Sequence, residues 1–355
     1  MSATGEHIGG SPLSSTRLYL RSARFDALLV LLPLSLGLGA CGLVSLRPDC
    51  FEALLYLNLY ALGYQHVAVT FSRLCFDRQS FRRHWPLVVL LPPLVIVATY
   101  ALARVTGVAA VTSVYFFWQW WHYARQSAGV TKACRPHHGG SSLEVAVLSL
   151  PVLWALCHRV NQAEPRFLSL ELWLPPLPGM LEPLLAAACV LVCVRWLDVT
   201  RSSLGSPRTH RRALASQALM FVCAGVCVER LDHGWLGLNV WHNTQYLLFV
   251  WHANQRRFAE GESPEAPLLS GLCQRRAIHA YVLVFLALGS AIYGVVALLA
   301  PMLPTSSATG AGLALIGYQA INFHHYLVDA TIWRSRSSQA SSALWTCDAH
   351  DVSAL

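Results

Sequence analysis

Ten stretches of this chain are each about as long as a helix needs to be to cross a bilayer, and they carry few charges: residues 26–46, 51–72, 86–103, 107–126, 143–159, 181–199, 212–229, 236–255, 277–301 and 308–333. A span needs about 20 largely apolar residues, and in lipid only a helix or a closed barrel satisfies its own backbone. Soluble chains carry about a quarter charged residues. Here 12% are charged, 55% are hydrophobic and the mean hydropathy is +0.44. The expectation is an all-α, polytopic membrane bundle of about ten helices. Residues 17–334 would form one transmembrane domain, between a disordered N-terminal stretch, 1–16, and a disordered tail, 335–355. The third and fourth spans are joined by almost nothing and predict a tight hairpin. The Pro-rich segment 161–179 is expected along the interface.

The basic residues test the count. With the N-terminus inside, the inner segments hold 21 of the 26 Lys and Arg, and the outer side keeps Arg47, Arg104, Arg159, Arg166 and Arg230. That is the positive-inside pattern. It predicts an integral protein of the bacterial inner membrane with both termini cytoplasmic. The net charge of +8 then records topology and anionic headgroups; the bilayer is the expected partner, and no nucleic-acid module is present. Eleven cysteines occur without a C-x-x-C. The pairs Cys189/Cys193 and Cys223/Cys227 read as small packing residues, and "LGAC" ending at Cys41 lies in an apolar run too long for lipoprotein processing.

The histidines are the feature an apolar helix does not explain. A titratable side chain in hydrocarbon is costly and marks a functional site by default. Six of 15 fall inside spans: His66, His122, His242, His252, His324 and His325. All four of their helices run from outside to inside. From a rise of about 1.5 Å per residue, His66 lies about 10 Å above Arg73, His122 and His252 about 5 Å above Arg125 and Arg256, and His325 about 14 Å above Arg334. This predicts a His layer in the cytoplasmic half. His242, about 15 Å from His252, would lie deeper, too far for both to bind one ion. Each of these helices also carries a Gln beside an aromatic, Gln65, Gln119, Gln245 and Gln319. With Trp121 and Tyr246 these are candidate substrate contacts. His242, Gln245, Phe249 and His252 follow helical spacing.

His325 and Asp329 are four apart and share a face, while His324 points about 100° away. Asp329 is the candidate catalytic group, as ligand or as acceptor for the free N–H of a ligating His. Many imidazoles with one carboxylate suit non-haem iron, and less specifically copper or zinc. No trio of desaturase-type histidine boxes, P-loop, nucleophile elbow or zincin motif appears.

Three stretches, "HHYLVDATIWR" (His324, Asp329, Trp333, Arg334), "YLLFVWHANQRRF" (His252, Arg256, Arg257) and "GYQHVAVTF" (His66), resemble the membrane-bound β-carotene 15,15′-dioxygenase family of Brp/Blh type. The resemblance covers about three helices. It implies a membrane-embedded, His-ligated non-haem iron and a lipophilic substrate. The family's N-terminal Pro-His-Gly element is missing here, Phe258 stands where its second His after the Arg pair would be, and this chain is longer by several helices.

The leading expectation is an iron oxygenase acting on a lipophilic substrate, with a possible electron donor. His66, His122, His252 and His324 or His325 would hold the ion, with His242 at a deeper position. Its rivals are a proton-coupled transporter built on an intramembrane His/Asp/Gln relay and a bis-His haem electron-transfer protein.

Overall fold

The computed structural model describes residues 20–134, 141–162, 165–168, 170–202, 208–299 and 310–332. The expected disorder of 1–16 and 335–355, the orientation of the termini, and Trp333 and Arg334 of the resemblance lie outside these residues. The described chain is all-α apart from one two-stranded hairpin. Its helices are α1 (Ala23–Leu46), α2 (Phe51–Asn58), α3 (Tyr64–Cys75), α4 (Arg78–Val89), α5 (Leu91–Thr106), α6 (Val108–Ala133), α7 (Ser142–Val160), α8 (Leu181–Ser202), α9 (Arg208–Val222), α10 (Leu231–Arg257), α11 (Pro267–Leu272), α12 (Ile278–Leu299) and α13 (Gly310–Ile332).

Helix stands at each of the ten apolar stretches; the second and seventh include one widened turn each, and the third is broken at Leu90 between α4 and α5. Five are long and apolar enough to cross a membrane: Ala23–Leu46, Arg78–Thr106, Ser142–Val160, Leu181–Arg201 and Arg275–Leu299. They are compatible with an integral membrane protein. The other five carry the histidines, carboxamides and hydroxyls, which lower their hydropathy.

The outer helices turn bare apolar side chains outward, among them Leu184, Leu191 and Val194 of α8 and Leu283, Val295 and Leu298 of α12. An apolar surface of this extent on a soluble monomer would be anomalous. Of the sixth and seventh stretches it is the sixth, α8, that takes an outer place, while α9 is mostly buried. The reason is polar. Gln217 of α9 donates to Leu148 O at 2.9 Å, and its Ser216 accepts from the Trp241 indole at 3.1 Å, so α9 needs protein neighbours. The middle of α8 is an unbroken run of Ala, Val, Leu and Cys from Leu184 to Val194 that lipid can solvate.

Helix ends are fixed by local chemistry. Ser22 caps α1 by accepting from Phe25 N, and Asp26 accepts from Leu20 N, Arg21 N and the Thr209 hydroxyl, tying α1 to α9. Asp77 caps α4 through Ser80 N and pairs with Arg257 at the end of α10. The α5–α6 hairpin turns on Gly107 alone, at φ +88°, a left-handed conformation that glycine adopts without strain.

Arg159, expected among the outer charges, is fully buried and donates to the carbonyls of Ala224, Val228 and Glu229. It closes the carbonyls freed where the π-helical turn Cys223–Cys227 ends. The segment 161–179, expected along the interface, keeps Trp173 75% exposed while part of it packs on the bundle. Its hairpin pairs β1 (Arg166–Phe167) with β2 (Leu170–Glu171), and Phe167 packs on Trp235 with ring centroids 4.9 Å apart.

The tightest helix pair is α1 against α10. A Cβ on Gly37 would meet Gly237 O at 2.8 Å, and one on Gly237 would meet Cys41 Sγ at 2.0 Å. Small residues let helices approach this closely in membranes. Gly237→Ala is therefore expected to destabilise the bundle by about 1–3 kcal/mol, read as a lower thermal midpoint in detergent. An unchanged midpoint would show that α1 and α10 do not pack as described.

Candidate metal centre

Helices α3, α6, α10 and α13, which hold the six histidines expected within spans, come together in the bundle. A π-helical turn, Leu59–Gly63, directly precedes α3. Such widened turns occur mostly at functional sites, and this one sets the rotation at which His66 enters the bundle.

His66, His122 and His242 each offer a ring nitrogen, and these three atoms lie within 4.8 Å of one another. His325 joins from α13, its Nε2 2.9 Å from His66 Nε2. Two nitrogens on one ion, each bonded at about 2.0–2.1 Å, stand about 2.9–3.3 Å apart when adjacent. The His66–His325 spacing already matches that; the wider trio would close inward around an ion. The four rings are 5% exposed or less. His66 Nδ1, His122 Nε2 and His325 Nδ1 are buried without a hydrogen-bond partner. Buried polar atoms are normally paired; of these three, His122 Nε2 is the one an ion among the rings would take up, since His66 and His325 already turn their Nε2 atoms toward each other.

The rings frame a cavity of about 20 Å³, room for one water molecule or one ion. Gln119, Asn239, Asn243, Asn322 and the phenols of Tyr64, Tyr123, Tyr293, Tyr318 and Tyr326 complete its walls. Tyr326 stacks on His122 at 4.5 Å, and Tyr123 lies tilted against His242 at 4.1 Å.

Asp329 stands behind the cluster. Its Oδ2 is 4.0 Å from His122 Nδ1, an ion-pair separation longer than a hydrogen bond, and its Oδ1 accepts from the Tyr246 hydroxyl at 3.1 Å. A carboxylate behind a ligating imidazole is the usual means of holding ring orientation and tautomer. With His122 Nδ1 on the carboxylate side, Nε2 is the nitrogen left for the cluster. Tyr246 also bonds Thr70 at 2.7 Å and lies over His66 at 4.1 Å. It therefore touches two of the four rings' supports.

His242 and His252 exchange the places expected of them. His242 belongs to the cluster, whereas the His252 ring packs 4.8 Å from Phe25 at the other end of α10. Depth from the nearest Arg misled because Arg125 does not mark the end of a helix: α6 continues to Ala133. His122 is therefore deeper than its distance to Arg125 implied, level with His242. Arg256 does mark an end, so His252 stays near the surface.

The adjacent pair on α13 divides its roles. His325 faces the cluster. His324 Nε2 donates to Leu87 O at 2.7 Å, and its ring lies against Phe71. Leu87 is in the last turn of α4, just before the break at Leu90 and the Pro92–Pro93 pair. His324 supplies a donor to a carbonyl at this interruption.

The predicted substrate contacts scatter. Gln119 lines the cavity and accepts from Trp235 Nε1 at 2.6 Å. Gln319 donates to Thr112 at 2.8 Å and ties α13 to α6. Gln65 and Gln245 are buried off the cavity, and the Gln245 amide nitrogen has no partner. Trp121 is 59% exposed on the outer face of α6, because it lies about 100° from His122. Sequence reasoning missed Asn239, Tyr123 and Tyr326 as walls. The available signal was position: Asn239 and His242 are three apart on one helix, and the two tyrosines each adjoin a cluster histidine.

No family model, no curated protein and no solved structure matches this chain.

Metal content separates the two α13 histidines. His325→Ala is expected to lose most bound metal, whereas His324→Ala should retain it and lower thermal stability instead. Asp329→Asn should weaken affinity about 10–100-fold. Full occupancy in both His325→Ala and Asp329→Asn would remove α13 from the centre.

Proposed function

We propose that this chain is a ten-span membrane metalloprotein in which His66, His122, His242 and His325 hold one transition-metal ion, iron in our reading, and that it is an oxygen-dependent oxidoreductase. The observation that carries this reading is the convergence of four imidazoles from four helices on an ion-sized cavity, where His122 Nε2 lacks a partner. The donor set is rich in nitrogen, with a carboxylate nearby and no thiolate, which suits iron better than a soft-metal site. It is also the ligand chemistry that the resemblance to the Brp/Blh-type dioxygenases implies, with His242 in place of His252.

Iron bound there supplies open coordination positions at which O₂ is activated. The protein's own part is positional. Asp329 orients His122, Tyr246 holds Asp329 and covers His66, and the bundle excludes bulk water. Electrons come from a separate donor. The substrate is lipophilic and enters from the bilayer. The five apolar helices form much of the outer shell and the polar ones cross within it, with both termini cytoplasmic.

One observation favours a second reading. The 2.9 Å His66–His325 contact is also a hydrogen bond between imidazoles, as a proton relay in a transporter would have. A bis-His haem has less support, because a cavity of about 20 Å³ has no space for a macrocycle.

Metal analysis and the absorption spectrum of the purified protein distinguish these readings. The expected result is about one iron per chain without a Soret band, with most metal lost in His66→Ala, His122→Ala and His242→Ala. Metal-free protein that conducts protons in vesicles would put the transporter first. Separately, a reporter fused after Arg334 is expected to read as cytoplasmic; a periplasmic signal would overturn the ten-span arrangement.

A further inference from the structure

The cavity beside the imidazoles is polar on nearly every side. Apart from the four histidines its walls are carboxamides and phenols, and Val67 is the one aliphatic side chain among its described lining residues. Tyr123 is 2% exposed, and its phenol oxygen has no hydrogen-bond partner. Asn58 and Asn243 both donate to Asn239 Oδ1. That leaves the Asn239 amide nitrogen and the Asn243 carbonyl oxygen, one donor and one acceptor, at the cavity wall.

A hydrocarbon lying here would leave these groups buried and unpaired. A site equipped for hydrogen bonding strongly disfavours a ligand that lacks the matching group. No Lys or Arg lines the cavity, so in the metal-free chain nothing on its walls balances an anionic head, and Asp329 stands close behind His122.

At one side of the cavity Tyr64 and Tyr293 stack, with centroids 4.0 Å apart and planes 15° apart. Next to them Tyr60, 51% exposed, meets Tyr64 edge-on at 5.0 Å. Gly63 ends the π-helical turn, and α12 presses close enough that a Cβ on Gly289 would meet Tyr64 O at 2.5 Å.

We propose that this cavity is a head-group site. It takes the neutral oxygen end of a long-chain alcohol, aldehyde or ketone, and the tail leaves between the π-helical turn and α12 once the Tyr64 and Tyr293 rings part. At about 20 Å³ the cavity fits an oxygen-bearing head and excludes the tail. The head-group site shares its cavity with the proposed metal centre and rests on that reading for its chemistry, but capture of the head needs no metal.

The test is photo-crosslinking of the full chain in phosphatidylcholine nanodiscs, metal-free and iron-loaded, with a dodecanol bearing a diazirine next to the hydroxyl carbon. Labelling is expected in the metal-free form at cavity residues on α3, α12 and α13, and should fall in the iron-loaded form, where the ion takes the same space. In the metal-free form dodecanol and dodecanal should compete, and dodecane and dodecanoate should not. Tyr123→Phe, which removes one oxygen atom, and Asn243→Leu should each weaken competition about tenfold, the effect of one hydrogen bond at the upper end of its usual range. Equal competition by dodecane, preference for dodecanoate, or labelling confined to the lipid-facing side chains would each overturn the proposal. Because the metal-free arm stands alone, absence of iron would defeat the metal reading and leave the head-group result interpretable.

Discussion

Polar groups inside an apolar bundle have to find partners in the bundle itself, and the arrangement of these helices follows from that constraint. A carboxamide, imidazole or guanidinium facing hydrocarbon has no water to bond. The helices that carry such groups, α3, α6, α9, α10 and α13, accordingly lie inside, and the ones that can do without protein neighbours, α8 and α12 most clearly, lie outside. Arg159 illustrates the strength of the rule. A residue that reads as a surface charge is fully buried because three carbonyls at the end of the π-helical turn need a donor.

The helical character and the positions of the segments were legible in the sequence, since a stretch of apolar residues bounded by Arg has few alternatives. The burial order was less legible. Mean hydropathy ranks α9 and α8 by composition, but Gln217 and Ser216 decide which is covered, and their partners Leu148 and Trp241 lie on other helices. Which histidines share a site was legible only in part. Periodicity placed His325 and Asp329 on one face, and they do meet one neighbourhood. Depth failed for His252 because the Arg ruler assumes that each Arg ends its helix, and α6 runs two more turns past Arg125.

The adjacent histidines of α13 show how one helix serves structure and site at once. Neighbouring residues point about 100° apart, so one ring facing the centre obliges the other to face a different helix. His324 finds the Leu87 carbonyl of α4. Pro92 and Pro93 cannot donate to the carbonyls of Val88 and Val89, and the helix breaks at Leu90; the neighbouring Leu87 carbonyl takes its bond from His324, more than 200 residues away. Correct placement of α13 against α4 also fixes the rotation at which His325 enters the cluster.

The size of the cavity bears on how such a centre would work. Space for one small molecule beside four imidazoles leaves no room for the whole of the lipophilic substrate proposed above, so on that reading the arrangement would have to open for a chain to reach the ion. The stacked Tyr64–Tyr293 pair forms one side of the cavity, and the π-helical turn adjoins it. A turn that slips from five-residue to four-residue closure rotates the residues after it. Since His66 is only three residues beyond Gly63, the same slip that parts the aromatic pair would also turn a ligand. Substrate entry and the geometry of the centre would then be coupled through one turn of one helix.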